Sequence, residues 1–93
     1  MSFAYNGFAS VTLFNLNDGV TSASTVNGNL LIKLREDESL ALATVHLAGR
    51  IEASGHINRV IIDLPRGPRF EGTLVDGFPF CDVNWFCFQI EAP

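Results

Sequence analysis

Ser39-Leu-Ala-Leu-Ala-Thr-Val-His-Leu-Ala-Gly-Arg-Ile-Glu-Ala53 decides the fold, because it satisfies two periodicities at once. As a helix it would follow the acidic turn Glu36-Asp37-Glu38, carry an apolar stripe at Leu40, Ala43, Leu47 and Ile51, and stop at Gly55. As a strand it sets Ala41, Ala43, Val45, Leu47, Gly49, Ile51 and Ala53 on one face, all apolar or glycine. Leu42, Thr44, His46, Ala48, Arg50 and Glu52 then take the other. The next segment favours the strand. Asn58 to Leu64 carries Val60, Ile62 and Leu64 on one face. A hairpin turning at Ser54-Gly55 would set Leu47 opposite Ile62 and Val45 opposite Leu64, so that the two apolar faces coincide. A slip of one residue would turn one apolar face toward the partner's polar face. The expected fold is therefore all-β, with an α+β alternative in which one helix at about 38–54 packs on an antiparallel sheet.

The flanking sequence reads the same way. Phe8 to Leu16 is rich in β-branched and aromatic residues and ends at Asn17-Asp18-Gly19, which tolerate positive φ. Val20 to Val26 and Asn29 to Arg35 follow, separated by Asn27-Gly28, a strong hairpin signal, so residues 8–35 are expected to form a three-stranded meander. After residue 58, the turn Pro65-Arg66-Gly67-Pro68-Arg69 predicts the pairs Leu64–Phe70, Ile62–Gly72 and Val60–Leu74. Trp85 to Glu91 closes the chain with Phe86, Phe88 and Ile90 on one face. The sum is a single domain spanning 1–93, an antiparallel meander of about six or seven strands forming a small sandwich or a partly open barrel.

Composition restricts the function classes. Hydrophobic residues make up 47% of the 93 and charged residues only 17%, more apolar than a small solvated monomer needs, which points to a homo-oligomer. The net charge of -4 argues against nucleic acid as a partner, since that binding draws on cations that neutralise phosphate. No apolar run reaches membrane-spanning length and the N-terminus lacks a basic targeting region, so the expected location is cytoplasmic, with no membrane partner. Cys81 and Cys87 are then expected as free, packed thiols, and no cofactor is implied.

Two groups of residues stand out. The predicted registers place His46, Asp63 and Glu71 in one row across three strands, with Arg50 opposite Arg59 nearby. Such a face could hold an anion or a metal ion, or share protons. A solvated sheet face explains the same residues without any chemistry. The segment from Phe78 to Phe88 contains Phe78, Phe80, Trp85, Phe86 and Phe88, which are candidate interface anchors or a strand buried on both sides. Catalytic and phosphate-binding signatures are absent. The reading that follows is a non-enzymatic binding or assembly module acting as a homo-oligomer. Its rivals are a barrel binding a small apolar ligand in a cavity lined by Ala41, Ala43 and Gly49, and a metal or acid–base site on the polar face.

Overall fold

The computed structural model describes residues 3–53 and 55–91. Six strands form: β1 Ala4–Asn17, β2 Val20–Asp37, β3 Leu42–Leu47, β4 Arg59–Asp63, β5 Arg69–Gly77 and β6 Trp85–Ile90. All pairings are antiparallel, and they close a barrel in the order β1-β2-β3-β6-β5-β4. The chain thus makes two three-stranded meanders. β1 pairs with β4 and β3 pairs with β6 to seal them.

The ambiguous stretch is a strand, but only over Leu42–Leu47. Ala43, Val45 and Leu47 point inward and are buried, while Thr44 and His46 lie on the outer face. A helix does not start because Asp37 Oδ1 accepts the Ser39 N–H at 3.1 Å and the Ser39 hydroxyl at 2.7 Å, an Asx-type turn, and Ala41 then adopts φ 53°. The expected hairpin between this strand and β4 does not form. β3 lies between β2 and β6, on the far side of the barrel from β4, so residues 48–58 must cross the barrel end. Ile51 and Ala53 pack against the core from this crossing, which explains why the alternation continues beyond the strand. Of the expected turn at Ser54-Gly55, Ser54 lies outside the described residues.

The three-stranded meander over 8–35 is instead one long hairpin. Asn17 pairs with Val20 around Asp18-Gly19, both at positive φ (52° and 78°), which makes a two-residue turn whose twist matches the strands. Asn27-Gly28 does not turn the chain. The β1–β2 register shifts between Ala9 and Val11 and again between Leu13 and Asn15, and Asn29 (φ 54°) and Ala23 (φ 53°) lie in the matching gaps of β2. These are bulges, which add the local twist that an 18-residue strand needs to coil around a small barrel.

In the β4–β5 hairpin, Ile62 faces Phe70 and Val60 faces Gly72, two residues from the predicted register. A shift of two keeps every side chain on its expected face but changes all its partners. Gly72 allows β5 and β6 to approach closely: a Cβ there would lie 1.9 Å from the Gln89 carbonyl oxygen. The interior is filled by the chain's own side chains. Val11, Leu13, Ile32, Leu34, Val45, Val60, Ile62, Phe86 and Phe88 are each less than 2% exposed, and with Ile57, Leu74 and others they form one core.

Candidate functional site

Strand order separates the residues of the predicted polar row. His46 sits opposite Lys33 on β2 and Trp85 on β6, with its ring 6.4 Å from the Trp85 ring. Asp63 is on β4, opposite Ser10 and Arg69, and makes a 3.4 Å ion pair with Arg69; Glu71 faces Ile61. The row of His46, Asp63 and Glu71 therefore does not exist. Among the described residues no three His, Cys, Asp or Glu side chains cluster as metal ligands.

Arg50 and Arg59 are not opposite one another either. Arg59 faces Phe14 and Thr73 across its two neighbouring strands, whereas Arg50 belongs to the crossing of residues 48–58. Arg59 is only 7% exposed although it lies on the outer face. Its guanidinium donates to both carboxylate oxygens of Glu91, to Glu71 Oε2 at 3.0 Å and to Thr73 Oγ1 at 3.2 Å. The bonds to Glu91, joined by Glu71, raise the Arg59 pKa despite its burial and hold the Glu91 carboxyl below the usual carboxylate value. With two carboxylates already bound, this guanidinium is a structural clamp rather than an anion site. Only its Nε lacks a partner. Sequence reasoning missed Glu91 because it becomes a neighbour of Arg59 only when the barrel closes.

The aromatic segment divides in two. Phe86 and Phe88 are fully buried inside the barrel and out of reach of a second chain. Phe78 packs partly against the core and Trp85 is half-buried, while Phe80 is 61% exposed. Cys81 is an exposed free thiol and Cys87 a half-buried one.

At the barrel end, the crossing and the 78–84 loop face each other across a cleft of about 620 Å³, whose walls include Arg50, Ile51, Glu52, Phe78, Asp82 and Val83. Two asparagines fix those walls. The Asn27 side chain pairs with the backbone of Glu52 (2.9 and 3.3 Å), and Asn84 bonds Leu47 through both its side chain (3.1 Å) and its carbonyl (2.8 Å). The residues expected to line an internal cavity do not meet: Ala43 is in the filled core, Ala41 is in the β2–β3 turn and Gly49 is exposed in the crossing. On the outer face, Phe8 and Leu31 are cross-strand partners, 56% and 46% exposed.

Comparison with family models, curated proteins and solved structures finds no match to this chain. Among the described residues no helix is long and apolar enough to cross a membrane.

Proposed function

We propose that this protein is a non-enzymatic binding and assembly module that works as a homo-oligomer. One observation carries the reading. The barrel is filled by the chain's own side chains, yet seven large apolar residues of the described chain remain exposed: Phe8, Val20, Val26, Leu31, Leu40, Val75 and Phe80. Phe8 and Leu31 pair directly, giving a local apolar surface of the kind that marks contact sites. Burial takes Phe86 and Phe88 out of such a contact, while Phe80 and the half-buried Trp85 remain open to it. The test is solution mass by light scattering over a concentration series; a dimer or larger species is expected, and a monomer throughout would overturn the reading.

A second reading, a site for a small molecule with an apolar body, is favoured by the barrel-end cleft, which has the volume of ordinary ligand sites and apolar walls at Ile51, Phe78 and Val83. Fluorescence of an apolar naphthalene dye tests it. Saturable binding that Phe78→Ala weakens at least tenfold is expected, and equal binding by both proteins would remove it.

A further inference from the structure

The first residues of β1 have an open edge. Phe3 O accepts the Glu36 N–H at 2.8 Å, and Phe14 O accepts the Asn58 N–H at 3.0 Å on the opposite side of β1. By the alternation of the ladder, odd residues of β1 bond to β2 and even residues point the other way, where β4 meets them only from Ser10 to Phe14. The main-chain N–H and C=O groups of Ala4 and Asn6 thus face outward with no strand beside them among the described residues. The cause is in β4. Extending its register by two residues beyond Ser10–Asp63 would bring Pro65 opposite Phe8, and proline has no N–H to give. Phe8 O takes the Tyr5 hydroxyl instead, at 2.7 Å.

We propose that this edge pairs with the same edge of a second copy, antiparallel about a two-fold axis through Tyr5. The inference rests on the self-association reading above and assigns its interface. Donors and acceptors repeating at every second residue are matched by an extended backbone, and a two-fold axis makes one edge complementary to itself. In this register Ala4 of each copy exchanges two hydrogen bonds with Asn6 of the other, four in all. Tyr5 meets Tyr5 as a non-hydrogen-bonded pair with Cα atoms about 4.5 Å apart. Phe3 of one copy falls opposite Gly7 of the other, whose missing side chain is replaced by the Tyr5 ring of the same copy, so that Phe3 meets that ring. The charges permit the match. The edge residues Ala4 and Asn6 are uncharged, and Lys33 of one copy lies three strand spacings, about 14 Å, from Arg35 of the other, beyond the screening length at physiological salt. Residues 4–9 of β1 also carry no proline, no charge and no bulge, the devices that keep strand edges apart.

The experiment compares the full-length chain with Asn6→Pro, which removes an edge N–H that β2 does not use, and Asn6→Lys, which keeps the N–H but adds a cation beside Lys33. Each is followed by light scattering, with far-ultraviolet circular dichroism as the check on folding. The wild type is expected at twice the monomer mass, and both folded variants at half that value. A further variant, Tyr5→Cys with Cys81→Ser, is expected to give a disulfide-linked dimer on mild oxidation. A dimeric wild type whose two Asn6 variants stay dimeric would overturn the edge while leaving self-association standing. A monomeric wild type would overturn both.

Discussion

Arg59 shows how one side chain ties the barrel together. Its guanidinium is out of water and depends on Glu71 and Glu91 for compensation, whereas those carboxylates are about half exposed and can rehydrate. Removing the acids should therefore cost more than removing the cation. The urea midpoint of Glu71→Gln/Glu91→Gln is expected to fall below that of Arg59→Met, which keeps the packing of the stem. The pH dependence has a definite sign. Because the Glu91 pKa is lower folded than unfolded, its stabilisation is complete above the unfolded value near 4.5 and is lost as the pH falls through the lower folded value. Glu91→Gln should flatten that acid limb of a midpoint-against-pH profile. The aromatic residues separate just as clearly: Phe86→Ala is expected to cost about 3–5 kcal/mol in urea unfolding, and Phe80→Ala less than about 0.5 kcal/mol.

At the scale of elements, the strands were legible where alternation is strict. The inward faces of β3 at Ala43, Val45 and Leu47, of β4 at Val60 and Ile62, and of β6 at Phe86 and Phe88 are those the pattern predicts. Turns are less legible, because residues that tolerate positive φ serve a hairpin and a bulge equally. Asp18-Gly19 uses it to reverse the chain; Asn29, just after Asn27-Gly28, uses it in a bulge that bends β2. Gly19→Ala, at φ 78°, should cost roughly 1–2 kcal/mol through backbone strain alone. Gly72→Ala forces apart two bonded strands, and its expected cost is about 3 kcal/mol, with loss of amide protection in β6 on hydrogen exchange as the local readout.

At the scale of the whole molecule, closure depends on contacts remote in sequence, such as Val11 with Ile62 and Val45 with Phe86. Refolding followed by Trp85 fluorescence is expected on a scale of about milliseconds to seconds, slower than a local meander would need. The same remoteness explains why the predicted polar row is absent. The row of His46, Asp63 and Glu71 required β3 beside β4, and the sequence alone favours neighbours in the chain as neighbours in the sheet. What residue pattern determined by itself was the face of each core strand, since side chains alternate along any strand whatever it pairs with, and it favoured the all-β class while leaving a helix at about 38–54 open. Which strands meet, which residues therefore face Arg59, and which edge of β1 is left unpaired were decided only by tertiary structure. Closing the barrel buries the apolar faces of both meanders together, and that gain, spread over the whole core, fixes an order that no single segment encodes.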